Sequence, residues 1–268
     1  MQNNQWLDLQ GKVVIVTGGN SGIGKKIVEN LRDNQAHVVV ADINQINAAE
    51  RDAQVVYFTC DIASRQDVEA MVNSVWEKFG RIDGIINNAG VNRARLLVDY
   101  YQKEPGHELT DDDFDFMVKV NQKGVFVCAQ TAARKMIQQK NGVIVNILSE
   151  AGIEGSRGQS CYAATKAAVQ GFTLSWAKEL GQFGIRVVGV APGINEPTPM
   201  GNAQHRKELA YTRGIESSDI DGDYSGKLPL GRCGRLEEIA DLVSYLVSDH
   251  SSYITGTTIN ITGGKSKG

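Results

Sequence analysis

Short runs of β-branched and apolar residues alternate with longer amphipathic stretches along almost the whole chain. The runs fall at 13–17, 37–42, 55–59, 84–87, 143–147, 186–190 and 258–261. Several, such as Val13-Val14-Ile15-Val16, are apolar for nearly their whole length. A strand covered on one face alternates apolar and polar side chains, whereas one covered on both faces is apolar throughout. Between the runs, helical patterns cover 23–32, 65–79, 111–138, 161–181 and 236–248. Strand then helix, repeated, predicts an α/β fold in which a doubly wound parallel sheet of about seven strands carries helices on both faces. No linker or repeat interrupts the rhythm, so residues 1–268 read as one domain. Two stretches break it: a polar excursion over 91–110 containing Pro105-Gly106, and a loop over about 194–228. Loops this long inside a compact α/β domain usually carry function.

The bulk properties exclude several roles. With 28 Lys+Arg against 31 Asp+Glu, the formal charge is −3, which leaves no basic face for nucleic acid. No apolar run approaches the roughly 18–20 residues of a membrane span. Met1-Gln2-Asn3-Asn4-Gln5 lacks the basic and apolar segments of a secretory signal, so a cytoplasmic protein is expected. The four cysteines are scattered without a CxxC pair, and the four histidines show no ligand spacing, which argues against disulfides and metal. Glycine stands out, at 29 residues against 5 prolines, and without a repeat these glycines are positional.

The first strand runs into Thr17-Gly18-Gly19-Asn20-Ser21-Gly22-Ile23-Gly24, and a helix follows at once. Glycines at such a junction let backbone approach a pyrophosphate, whose charge the N–H groups of the helix start then hold. A lone glycine pattern is weak, but here a strand precedes it and Asp42 ends the second strand, 18 positions beyond Gly24. A carboxylate there accepts the adenosine ribose hydroxyls and repels a 2′-phosphate. No Arg or Lys stands at 19, 20, 43 or 44, so NAD is expected over NADP. This makes the sheet Rossmann-type.

Tyr162 and Lys166 lie at i and i+4 on one helix face, and Ser149 follows the apolar run 143–147. A nearby cation favours phenolate and brings tyrosine, whose free pKa is about 10, towards use as an acid and base. Taken alone, such a pair is more often a solvated one. Ser149 at the carboxyl edge of the sheet, where ligands bind in open α/β folds, changes that balance.

The ordered set Thr17-Gly-x-x-x-Gly-Ile-Gly24, Asp61, Asn87-Asn-Ala-Gly90, Asn121, Ser149, Tyr162-x-x-x-Lys166 and Pro192-Gly193 resembles the short-chain dehydrogenase/reductase family over essentially the whole chain. The resemblance implies an oxidoreductase in which Tyr162 is the general acid/base and Ser149 positions the substrate oxygen. It implies that Lys166 tunes Tyr162 and holds the nicotinamide ribose, and that Asn121 orders a relay water. It also implies an NAD site built from Thr17, Gly18, Asn20, Ser21, Gly22, Ile23, Gly24 and Asp42. Asp61 and Ile62, then Asn88, Ala89 and Gly90, and finally Tyr162, Lys166, Pro192, Gly193, Ile194 and Thr198 complete that site. Thr198 stands one residue further from the Pro-Gly pair than the family usually places it. A homotetramer is implied, with a dimer as the alternative.

Segments 92–99, 120–126, 149–155 and 158–162 further resemble members of the family that oxidise a sugar phosphate, a small-molecule partner. Such a substrate needs cations or backbone donors for phosphate and polar side chains for hydroxyls. Arg93, Arg95 and Arg157 flank the strand ends, with Arg95 and Arg157 the favoured phosphate contacts, and His205, Arg206 and Lys207 lie in the second loop. Glu150, Glu154, Gln159 and Asn195 are candidates for hydroxyls. An unphosphorylated polyol or a 3-oxoacyl thioester would use the same catalytic residues, so both stay open. A non-catalytic nucleotide sensor is disfavoured because both Tyr162 and Lys166 are present.

Overall fold

The computed structural model of the chain describes residues 6–102, 107–220, 226 and 228–265. Pro105 and Gly106, part of the 194–228 loop and the last three residues of the tail lie outside them. The strands are β1 (Val13–Thr17), β2 (His37–Asp42), β3 (Val55–Thr59), β4 (Gly84–Asn87), β5 (Gly142–Ile147), β6 (Ile185–Pro192) and β7 (Thr257–Ile261). They form one parallel sheet in the order β3-β2-β1-β4-β5-β6-β7. Strand order reverses between β1 and β4, and such a switch point opens a crevice at the carboxyl ends of the strands.

The inner strands are largely apolar because successive side chains enter different cores. Val13 and Ile15 face the layer containing α2 (Arg65–Phe79) and the helices that follow β4, where Met71, Val72, Val127 and Met136 pack. Val14 and Val16 face α1 (Gly22–Asp33) and α8 (Leu236–Val247), against Ile27, Leu31, Ile239 and Val243. Ile15 is completely buried, and truncation of such a side chain to alanine costs about 2–5 kcal/mol.

The helix expected over 111–138 is interrupted. It consists of α3 (Asp111–Val118), a π-helical turn at Lys119–Gly124 and α4 (Val125–Gln139). A π turn accommodates an extra residue and rotates the face that follows; here it carries the fully buried Asn121. Two further helices complete the set around the long α6 (Ser160–Leu180): the short α5 (Ala151–Glu154) and α7 (Ala203–Arg213) inside the second loop. The start of α7 is capped by Asn202, whose side chain accepts from the His205 N–H at 2.9 Å. Its end is Gly214 at φ +68°, where a side chain would overlap the Tyr101 hydroxyl.

Candidate active site

A cleft of about 620 Å³ runs across the carboxyl ends of the strands. At one end, β1 turns into α1 through Gly18 and Gly22, at φ +65° and +54°. A Cβ on Gly18 would stand 2.9 Å from the Ala89 Cα, and one on Gly24 would overlap the Gly18 carbonyl oxygen. These glycines keep the turn pressed against the loop after β4 while exposing its backbone to the cleft. Ser21 precedes α1 without a side-chain capping bond, and the first turn holds no acidic residue. The helix start is thus left to attract an anion.

Thr17 lies beneath this turn rather than in the cleft. Its Oγ1 accepts from the N–H groups of Asn88 and Ala89, each at 3.1 Å, and donates to the Ile86 carbonyl. Asn88 returns the link through Nδ2, donating to the carbonyls of Thr17 at 2.9 Å and Gly18 at 3.0 Å. Asp42 is 7 % exposed and accepts from the backbone N–H groups of Asn20 at 3.1 Å and Asn44 at 2.9 Å. Asn20 donates through Nδ2 to the Asn44 carbonyl, while its buried Oδ1 has no partner. Asp61 and Ile62 line the neighbouring wall with Cys60. Burial and the adjacent Asp67 and Asp61 push the Cys60 thiol up to about 12, so it stays protonated. The glycine cradle, the orphaned acceptor and the carboxylate at the end of β2 together fit an adenosine diphosphate.

The catalytic candidates meet at the centre. Lys166 is buried, donates to the Ile147 carbonyl at 2.8 Å and places Nζ 5.8 Å from the Tyr162 ring centroid. Burial lowers its pKa to about 8. Burial raises that of Tyr162, opposed by its hydrogen bond with Ser149. Burial thus outweighs the Ser149 bond at the phenol. A Cβ on Gly90 would stand 3.3 Å from Asn121 Oδ1 and 3.5 Å from Lys166 Nζ, so glycine lets this loop approach both.

Asn121 faces the loop rather than the cleft. Its Oδ1 accepts from the Val91 N–H and its Nδ2 donates to the Val91 carbonyl, both at 2.8 Å, with a further 3.1 Å bond to Thr165 Oγ1. The side chain is fully engaged in joining the chain after Gly90 to α6, a positioning role.

Pro192 and Gly193 line the cleft, while the Ile194 carbonyl accepts from Gly234 N–H at 2.9 Å and its side chain lies outside. Thr198 lines the cleft with its Cβ 3.3 Å from the Cβ position of Gly22, against the turn that opens α1.

Of the sequence-expected substrate residues, Ser149, Arg93 and Asn195 line the cleft, while Arg95, Glu150, Glu154, Arg157 and Gln159 do not. Arg95 is tied to Asp113 at 2.9 Å, to the Ala94 carbonyl at 2.8 Å and to Glu208 at 3.4 Å. Arg157 donates to the hydroxyls of Tyr100 and Tyr101 on the outer surface, at 2.7 and 2.6 Å. Glu150 is nearly buried and pairs with Lys265 of the tail. Glu154 ends α5, and Gln159 precedes α6 with its Oε1 accepting from Ser156 Oγ at 2.7 Å. His205 is buried in α7, and Arg206 is held by the Gly201 carbonyl.

The cleft wall instead carries Asn92, Arg93, Phe116, Val120, Asn195, Met200 and Asn202. Arg93 and Asn195 are among the sequence candidates, just past the Gly90 and Gly193 turns, whereas Asn92, Phe116, Val120, Met200 and Asn202 are not. Phe116 and Val120 stand at i and i+4 ahead of Asn121, a spacing that reads equally well as core.

The crossover order, the glycine cradle and the Ser149–Tyr162–Lys166 centre define a class. The model of the short chain dehydrogenase family matches residues 12–209, and the chain belongs to that family. It is 49% identical over 266 residues to the sorbitol-6-phosphate 2-dehydrogenase of Klebsiella pneumoniae, covering 99% of this chain and 100% of that one. It is 39% identical over 265 residues to the 3-oxoacyl-[acyl-carrier-protein] reductase FabG of Thermotoga maritima, covering 96% and 98%. Among solved structures, NAD+-bound xylitol dehydrogenase superposes with a TM-score of 0.85 at 28% identity, covering 96% of this chain and 100% of that one.

Proposed function

We propose that this protein is an NAD-dependent oxidoreductase that interconverts D-sorbitol 6-phosphate and D-fructose 6-phosphate. The observation that carries the reading is the full-length 49% identity with the Klebsiella pneumoniae enzyme, joined to a cleft wall that mixes Asn92, Arg93, Asn195 and Asn202 with Phe116, Val120 and Met200. Bound NAD supplies the acceptor for the hydride that leaves the alcohol carbon. Ser149 and Tyr162 hold the reacting oxygen, and Tyr162, acting as phenolate after releasing its own proton, takes the alcohol proton as the carbonyl forms. In the reducing direction the protonated phenol donates it. Lys166 keeps a cation beside this proton path. Asp42, through its buried carboxylate, supports the preference for NAD.

The 39% identity with the Thermotoga maritima reductase favours a second reading, a 3-oxoacyl reductase. Against it, Asn92, Arg93, Asn195 and Asn202 interrupt the apolar Phe116, Val120 and Met200 in the cleft wall, whereas a long acyl chain needs a continuous apolar channel. NADH formation with sorbitol 6-phosphate, free sorbitol and mannitol 1-phosphate, beside NADH oxidation with a 3-oxoacyl thioester, separates the readings. The expected result is a kcat/KM for sorbitol 6-phosphate at least 100-fold above the others. A thioester substrate preferred over every polyol would overturn it. A homotetramer, expected from the family, is tested by sedimentation.

A further inference from the structure

The cleft is electrically divided. Its two carboxylates, Asp42 and Asp61, both lie at the nucleotide end. Among the described residues that line it, the cations are Lys166 and Arg93, and Lys166 belongs to the catalytic centre. Arg93 is therefore the cation that faces the substrate end, where no carboxylate lines the wall.

Arg93 is also held in place. Its guanidinium lies over the Phe116 ring, 4.4 Å from the centroid, and Nη1 donates to Asp113 Oδ1 at 2.5 Å. Asp113 is fixed independently of Arg93: its N–H is capped by Thr110 Oγ1 at 3.1 Å, and its other oxygen accepts from Arg95 Nε at 2.9 Å. Burial alone would raise the Asp113 carboxyl, but the two arginines hold it below the usual range, so it stays charged. An anion that draws part of the Arg93 fork away leaves Asp113 still paired with Arg95. A guanidinium stacked on an aromatic face, with donors remaining, is suited to grip phosphate through two parallel bonds.

The neighbouring residue adds a second observation. Asn92 lines the same cleft, and its buried Oδ1 has no hydrogen-bond partner. A buried acceptor left unpaired is costly unless a ligand donates to it. Both residues follow directly on Val91, which Asn121 clamps from both sides. Arg93 is three residues from Gly90, so its Cα lies within about 11 Å of the Gly90 Cα. In a hexitol 6-phosphate the C2 atom and the phosphorus are roughly 6–8 Å apart, from C–C bonds of about 1.5 Å. Asn92 and Arg93 line the same cleft as Ser149, Tyr162 and Lys166.

We propose that Asn92 and Arg93 form the subsite that recognises the far end of the substrate, Arg93 binding the phosphate and Asn92 Oδ1 accepting from a polyol hydroxyl. This rests on the sugar-phosphate reading above. It moves phosphate recognition from Arg95 and Arg157 to Arg93, with Arg95 serving to fix Asp113.

The test is steady-state kinetics with sorbitol 6-phosphate and free sorbitol for the wild type, Arg93→Gln, Arg93→Lys and Arg95→Gln. In Arg93→Gln the ratio of kcat/KM for the phosphorylated over the free polyol falls about 10- to 100-fold, mostly through KM, as loss of a charge-assisted bond predicts. Arg93→Lys, which keeps the cation without the fork, gives an intermediate ratio and confirms that the site still folds. Arg95→Gln lowers both substrates together. A wild-type preference for phosphate that survives in both Arg93 variants overturns the subsite alone. A wild type without that preference overturns the substrate reading, and the subsite with it.

Discussion

The Lys166 ammonium donates at 2.8 Å to the Ile147 carbonyl, at the end of the strand that leads to Ser149. That contact fixes the cation beneath the Tyr162 ring and buries it at a measurable cost. Its pKa falls from 10.5 to about 8 because burial penalises the charged form. Below pH 8 the side chain is charged in both folded and unfolded states, and the penalty is fully present. As pH rises from about 8 towards 10.5, the folded state sheds its proton first and the penalty is relieved. Lys166→Met should therefore be favoured relative to wild type at pH 7, and that advantage should shrink by on the order of 3 kcal/mol by pH 10.5. Denaturant unfolding of both proteins at pH 7, 9 and 10.5 measures it. The prediction lies in the slope, because the unpaired Ile147 carbonyl shifts the variant equally at every pH. A flat difference would contradict it.

Asp42 gathers the N–H groups of Asn20 and Asn44 beneath the expected position of the adenosine ribose. Asp42→Ala leaves those donors without their acceptor and removes the charge that disfavours a 2′-phosphate. The kcat/KM with NAD should fall about 10- to 100-fold, while the NADP/NAD ratio rises. Parallel titration of the two cofactors reads both. An unchanged ratio would remove Asp42 from cofactor choice.

The second loop is fastened to the first. Tyr211 on α7 donates to the Asp99 carboxylate, 3.0 Å from both oxygens, and packs against the rings of Tyr101 and His107. Gly158 leaves room for Thr212 in the same contact, since a Cβ there would overlap its hydroxyl. Asp99→Asn and Tyr211→Phe should loosen α7, raising the substrate KM several-fold and speeding amide exchange over 203–213, with the KM for NAD unchanged. Exchange measured with and without the substitutions decides it. Protection that stays at wild-type levels would show that the fastening is idle.

How much of this was readable beforehand follows from where each signal resides. The inner strands were legible because both of their faces are covered, which writes an apolar run such as Val13–Thr17 directly into the chain, while the edge strands β3 and β7 were read from their β-branched residues. The break at Lys119–Gly124 was not, because a single extra residue within apolar surroundings leaves the helical pattern almost intact. Helix α7 was hidden for a different reason: it packs on the excursion through Tyr211 and on Gly158 through Thr212, and it carries no continuous apolar stripe. Its Asn202 cap and Gly214 stop were the available clues. In the site, Gly18, Gly22, Gly24, Tyr162 and Lys166 were legible because their chemistry demands fixed local spacing. The choice among Arg93, Arg95 and Arg157 was not local. Glu208 and Asp113 hold Arg95, while Tyr100 and Tyr101 hold Arg157, and each partner comes from a distant part of the chain.

The central claim is that Tyr162 takes the proton while hydride leaves carbon 2 of sorbitol 6-phosphate for NAD. Sorbitol 6-phosphate deuterated at that carbon, incubated with NAD and the wild-type protein, tests it directly. The account predicts fructose 6-phosphate free of the label and deuterium on the reduced nicotinamide. It also predicts that Tyr162→Phe lowers this turnover about 10²- to 10⁴-fold with NADH affinity unchanged. Label retained in the sugar, no reduced nicotinamide, or wild-type turnover in Tyr162→Phe would contradict it.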